Sequence, residues 1–201
     1  MIPFIKATEI NSSAFAERLA QCNGVYSNHG KYEQELCAHL EAIIGYPVAT
    51  ACNATIALQI LQKQMGDMPF NRPSFTFPAT NIGSYRDGDI LQEPILNGTR
   101  LGFVPACTKR RQAQIITVPF GCHLLGKAHE CSAPTLIDAA ACASPSMHII
   151  RDWLYFGAKS VVCSLHATKI WPAGEGAFVA FATQQGKNDF LKAQNFGIII
   201  D

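Results

Sequence analysis

With 201 residues, 48% of them hydrophobic and 15% charged, the chain is long enough to bury a core and too apolar to be disordered. A formal net charge of +1 gives no basic or acidic field, which argues against nucleic acid and membrane surfaces as partners and leaves small molecules or a second copy of the chain. No apolar run approaches the ~20 residues of a membrane helix, and the opening MIPFIKATEINSS lacks the layout of a secretion signal, so a cytoplasmic protein is expected.

Along the chain, KYEQELCAHLEAIIG is the clearest helix. Leu36, Leu40, Ile43 and Ile44 recur at i, i+4, i+7 and i+8, and Gly45 follows as a stop. A short strand in YPVATAC leads through a polar Asn-Ala-Thr turn into a second helix beginning near Ile56, with Ala57, Leu58, Leu61 and Met65 on one side. A weak strand near MPFNRP is followed by DILQEPIL (89–96), AQIITVP (113–119), PTLID (134–138), SVVCS (160–164) and GAFVAFA (176–182). Strands that are apolar throughout and separated by helices imply an α/β fold: three α/β/α layers around a mostly parallel sheet of about seven strands. The eight cysteines include no CxxC pair, and several, such as Cys163, sit inside apolar segments, so buried free thiols are expected and no metal site.

Ligands of such sheets lie beyond the carboxyl ends of the strands, where Asn53, Asp138 and Ser164 fall. Backbone N–H groups at the start of the second helix, with the Thr55 hydroxyl, suit a phosphate; an ordinary N-cap explains the turn equally well. Asp138 meets a run of small residues, where a carboxylate caps a following helix or pairs with a protonated ring nitrogen. Phe77, in SFTFPATN, is either a core aromatic or a stacking platform. Lys169 stands five residues after Ser164 in a loop that GEG makes pliable; it either reaches water or is held for attack on a carbonyl. Taken in order, a phosphate turn, an aromatic plate, an acid, a serine and a lysine are the parts that hold pyridoxal 5'-phosphate (PLP).

The same segments resemble the DegT/DnrJ/EryC1/StrS sugar aminotransferases, which are fold-type-I PLP enzymes. NGVYSNHGKYEQEL is similar to the family's opening glycine loop and helix, CNATIAL to its phosphate turn, SFTFPAT to its "TFxAT" segment and LIDAAACA to its "EDxAQA" strand end. SLHATKIWPAGEGAFVAF resembles "SFHxxKxxxxGEGG", the most specific motif of the set, and AQNFGI resembles "RNHG". The resemblance implies that Ala54, Thr55 and Ser164 hold the cofactor phosphate, Phe77 stacks on its ring, and Asp138 binds the ring nitrogen. Lys169 would be the covalent attachment point and proton shuttle, and Asn195 would reach the phosphate of the neighbouring subunit in a homodimer. It further implies amino transfer from an amino acid, glutamate, to a nucleotide-linked keto-sugar, because relatives with histidine in place of the lysine are dehydratases. Three positions depart from the family: Ala141 for a glutamine, Ala177 for the last glycine of "GEGG", and Gln194 for an arginine. The resemblance covers the family's large PLP-binding domain over residues 1–201 and not its small C-terminal domain. That leaves a different class of reading open, a truncated, non-catalytic remnant acting in dimerisation or regulation. A Rossmann nucleotide-binding domain is disfavoured because no G-x-G-x-x-G follows a first strand.

Overall fold

The computed structural model describes residues 11–22, 29–68, 70–73, 90–92, 94–97, 100–103, 113–118, 133–141, 147–169 and 171–195. Within them lie helices α1 (Ser12–Gln21), α2 (Lys31–Ile44), α3 (Ala54–Gln64), α4 (His148–Tyr155) and α5 (Gln184–Gln194). The strands are β1 (Val48–Ala51), β2 (Phe70–Pro73), β3 (Ile90–Gln92), β4 (Pro94–Asn97), β5 (Arg100–Phe103), β6 (Ala113–Thr117), β7 (Thr135–Asp138), β8 (Ala158–Ser164) and β9 (Ala177–Phe181).

Seven strands form one sheet in the order β1-β9-β8-β7-β6-β2-β3. All neighbouring pairs from β8 to β3 are parallel, and β9 runs antiparallel to both β8 and β1. Since β9 is reversed against both neighbours, β1 points the same way as β6, β7 and β8, and all four carboxyl ends meet one edge of the sheet.

The unbroken apolar strands are buried on both faces, and their period of two divides the core. Val48, Ile137, Val161, Cys163, Phe178 and Ala180 pack with Leu40 and Ile44 of α2 and with Ile150, Trp153 and Leu154 of α4. Ala49, Ala51, Ile115, Leu136, Val162, Val179 and Phe181 pack on the other face with Ala57, Leu58 and Leu61 of α3 and Phe190 of α5. Three layers result, as expected, and each large side chain buried this way contributes roughly 1.5–3 kcal/mol.

Gly45 ends α2 in the left-handed conformation at φ 78°, its N–H bonded to the Glu41 carbonyl. The apolar stripe of α2 is narrower than its sequence spacing implies, since Leu36 and Ile43 are 40% and 52% exposed. The helix lies beside an edge strand, so only the i, i+4 pair Leu40 and Ile44 reaches the core. DILQEPIL is not one strand: its first part joins the sheet as β3, and its second pairs antiparallel with β5 as the hairpin strand β4. Pro94, which opens β4, has no N–H to give a ladder, and such residues start strands instead of continuing them. Helix α1 has no sequence signal strong enough to announce it, and none of its residues is buried. The Tyr32 hydroxyl donates to its Arg18 carbonyl at 2.9 Å, and the Arg18 guanidinium lies over the Tyr32 ring. Among the described cysteines, Cys163 is buried as expected, whereas Cys52 is exposed. No described helix is long and apolar enough to cross a membrane.

Strand β1 is a sheet edge, and α2 and α5 close it from either side. Glu41 Oε1 accepts the outward N–H of Val48 at 2.8 Å and the Lys187 ammonium at 2.7 Å, while Glu33 accepts the Thr50 hydroxyl. Satisfying an edge with side chains discourages pairing with a foreign strand. Burial alone would raise the pKa of Glu41, but Lys187 and the Val48 N–H outweigh it and hold the carboxyl below its ordinary value. The pair's stabilisation is therefore complete above the usual glutamate range and is lost as pH falls through the depressed value. Glu41→Ala is expected to cost about 1–3 kcal/mol at pH 7, because it leaves a half-buried N–H without an acceptor. Urea unfolding should show a lower midpoint with an unchanged slope.

Candidate active site

The carboxyl ends of β1, β6, β7 and β8 surround a cleft of about 300 Å³, whose lining includes Ala54, Thr55, Thr117, Asp138, Ser164 and Lys169. Side-chain parity explains the convergence. Thr117 pairs in register with Asp138, and Asp138 with Val162, so Thr117, Asp138 and Ser164 all face the α3 side of the sheet.

Helix α3 begins at Ala54, earlier than the pattern implies, with Asn53 as its N-cap. The Asn53 side chain accepts the Ile56 N–H at 2.9 Å. The N–H groups of Ala54 and Thr55 have no acceptor within the helix, and both residues line the cleft. A capping residue and a candidate phosphate turn thus coexist, because the cap occupies one donor and leaves the first two.

Asp138 ends β7 and is 4% exposed. Its Oδ1 accepts the Ala140 N–H at 3.1 Å, a local turn instead of the cap of a long helix. Burial raises its pKa from 3.8 to about 6, opposed by the Ala140 N–H, the Lys169 charge and the Thr117 hydroxyl. A carboxyl this buried gains most from a cationic partner placed against it. The small side chains of Ala140 and Ala141 form the adjoining wall.

Lys169 lies in the loop joining β8 to β9 and is half-buried. The loop is tied down at Leu165 N–H to Gly176 O (2.9 Å), Ala167 N–H to Gly174 O (2.9 Å) and Ala173 N–H to Leu165 O (2.8 Å). Gly174 and Gly176 adopt φ 89° and 144°, a region side chains disfavour, so the GEG sequence is what lets the loop fold back. The Lys169 N–H bonds the His166 carbonyl at 2.8 Å, and the Ser164 hydroxyl accepts the His166 N–H at 3.2 Å. Lysine and serine are thereby presented to the same cleft.

Of the residues expected at the site, Ala54, Thr55, Asp138, Ser164 and Lys169 come together, and Phe77 lies outside the described residues. Asn195 was expected to reach a neighbouring subunit's phosphate and not the site of its own chain. It lies in a separate cleft of about 660 Å³ between α2, the β1 edge and α5, hydrogen-bonded to His29 Nε2 at 2.8 Å. Ala177 is buried at the head of β9, in register with both Ala51 and Ser164, so a methyl group fits where the family has glycine. Thr117, His166 and Glu175 also line the cleft. His166 and Glu175 fall within the SLHATKIWPAGEGAFVAF segment without having been assigned a role there, and Thr117 lies in none of the family-like motifs. The one available signal for Thr117 is a lone polar residue closing the apolar run of β6, and only the β6–β7 pairing shows what it faces.

No family model matches the sequence, and no curated protein matches it. Solved structures do match in fold. DesI, crystallised in the presence of its TDP-sugar product, superposes with a TM-score of 0.75 at 22% identity, over 96% of this chain and 52% of its own. The sugar aminotransferase CalS13 from Micromonospora echinospora gives 0.71 at 17%, over 96% and 57%. NtdA from Bacillus subtilis with bound cofactor PMP gives 0.71 at 13%, over 95% and 47%. The chain spans about half the length of these structures and has their fold over that span.

Proposed function

We propose that the chain is the PLP-binding large domain of a sugar aminotransferase, moving an amino group from glutamate to a nucleotide-linked keto-sugar within a homodimer. The observation that carries this is the meeting, in one cleft, of a buried carboxylate, an open helix N-terminus and a lysine on a pinned loop. The residues present fit the cofactor. Asp138 is a buried acid that makes no salt bridge among the described residues, Thr117 has a buried hydroxyl with no hydrogen-bond partner, and Ala140 and Ala141 leave room for a flat ring.

Asp138 would hold a protonated ring nitrogen; Ala54, Thr55 and Ser164 would hold the phosphate at the positive end of α3. When bound, PLP supplies an electron sink that acidifies the C–H bond beside a substrate nitrogen. Lys169 would bind the aldehyde carbon and, once displaced by the amino donor, take and return the proton as general base. The fold neighbours crystallised with a TDP-sugar product and with PMP support the sugar and cofactor classes.

Mixing the protein with PLP should give a yellow, protein-bound absorbance band, which glutamate converts to that of the amine form; a protein that stays colourless contradicts the proposal. A non-catalytic scaffold is the second reading, favoured by Phe15, Ile43 and Tyr155, which are 57%, 52% and 75% exposed. A chain that dimerises yet takes up no PLP would establish it.

A further inference from the structure

Among the described residues, Thr117 has a buried side-chain oxygen that lines the candidate site and has no hydrogen-bond partner. It is 2% exposed, closes β6, and stands in register beside Asp138 on the same face of the sheet. Buried hydroxyls are ordinarily bonded, and leaving one unbonded costs about 1–3 kcal/mol, so its persistence at a cleft needs a reason. Its neighbour supplies one. Asp138 uses Oδ1 for the Ala140 N–H and makes no other hydrogen bond of normal geometry among the described residues. The hydroxyl is near enough to favour a negative charge on that carboxyl yet makes no hydrogen bond of normal geometry to it.

We propose that Thr117 is a positioning residue for Asp138: its hydroxyl rotates to donate to the ionised carboxylate and fixes the orientation in which that carboxylate meets a cationic ring. The ring belongs to the function proposed above, on which this purpose rests; the pairing of the two side chains does not depend on it. A hydroxyl both donates and accepts, so the same group can also accept from a protonated carboxyl when the cleft is empty. Among the described residues, the other charged or titratable groups lining the cleft are Lys169, His166 and Glu175, all from the β8–β9 loop, and none comes from α3 or β6. Thr117 is therefore the group on the adjacent strand that responds to the Asp138 charge.

The test is a ¹³C NMR titration of the Asp138 carboxyl in the full chain without PLP, the signal assigned by its absence in Asp138→Asn. Thr117→Val, which keeps the shape and removes the hydroxyl, should move the midpoint upward by about one pH unit, a tenfold change in proton affinity. Thr117→Ser should restore it to within a few tenths. With PLP, Thr117→Val should weaken binding about tenfold and Thr117→Ser should not, while in an Asp138→Asn background Thr117→Val should change PLP affinity little. A Thr117→Val midpoint equal to wild type, or an equal loss of PLP affinity with and without Asp138, would overturn the proposal, the latter by showing direct contact with the ligand. Failure of the wild-type chain to bind PLP would instead refute the function while leaving the apo titration to decide the pairing.

Discussion

Lys169→Ala is expected to leave PLP held only by non-covalent contacts and to slow amino transfer by roughly 10²–10⁴-fold, the range that one positioned proton-transfer group supplies. The size of the effect follows from how the loop is built. Backbone hydrogen bonds from Leu165, Ala167, Lys169 and Ala173 fix the turn, so the amine starts near its target and little order need be imposed when it acts. A free amine added to the buffer should recover only a small part of the rate, having none of that placement. The fold should be indifferent, because the Lys169 side chain is half-exposed and lies outside both core clusters. A thermal midpoint close to wild type, with dialysable PLP and a slow glutamate half-reaction, is the expected combination. A variant that turns over like the wild type would remove Lys169 from the chemistry.

Asp138→Asn should act in opposite directions on stability and on cofactor binding. The carboxyl is buried, and its pKa is raised from 3.8 to about 6, chiefly by burial. The folded chain therefore binds this proton more tightly than the unfolded one. Stability from this group is complete below the ordinary carboxylate range and is lost as pH rises through about 6, for a total of about 3 kcal/mol. Asparagine fills the same space without ionising. Without PLP, the variant should be more stable than wild type at pH 8 by up to about 3 kcal/mol, and the slope between pH 4 and 6 should largely disappear. With PLP, the ring nitrogen loses its charged partner, and breaking a buried ion pair costs about 3–5 kcal/mol, so affinity should fall a hundredfold or more. Urea unfolding at pH 5 and pH 8 and a PLP titration measure both. Stabilised apo protein that binds cofactor poorly is what a site kept strained for function predicts. An unchanged pH slope would show that Asp138 is not the group responsible.

How much of this the sequence disclosed depends on the kind of interaction. Strand β9 is apolar at every position and β8 through Val161, Val162 and Cys163, a pattern that a sheet covered on both faces produces, and they lie where the pattern placed them. Gly45, Gly174 and Gly176 marked the end of a helix and a turning loop for a conformational reason that does not depend on context. That Asp138, Ser164 and Lys169 would share one cleft was legible because each ends or follows a strand of a sheet expected to be mostly parallel. Pairing was harder to read. Which strand lies beside β7 is a long-range property, so Thr117 could not be placed against Asp138 from spacing alone. The reversed strand β9 and the division of DILQEPIL between two sheets depend on tertiary pairing in the same way. The exposure of Leu36 and Ile43 followed from α2 lying at a sheet edge, which periodicity within the helix does not reveal.

The chemistry requires one amine, at position 169, to be the group that meets a PLP aldehyde. Incubating the full chain with PLP, reducing with borohydride and mapping the peptides by mass spectrometry tests this directly. One stoichiometric adduct on the peptide containing Lys169 is the predicted result. Labelling spread over surface lysines such as Lys31, Lys63 and Lys192, or no stable adduct at all, would contradict it.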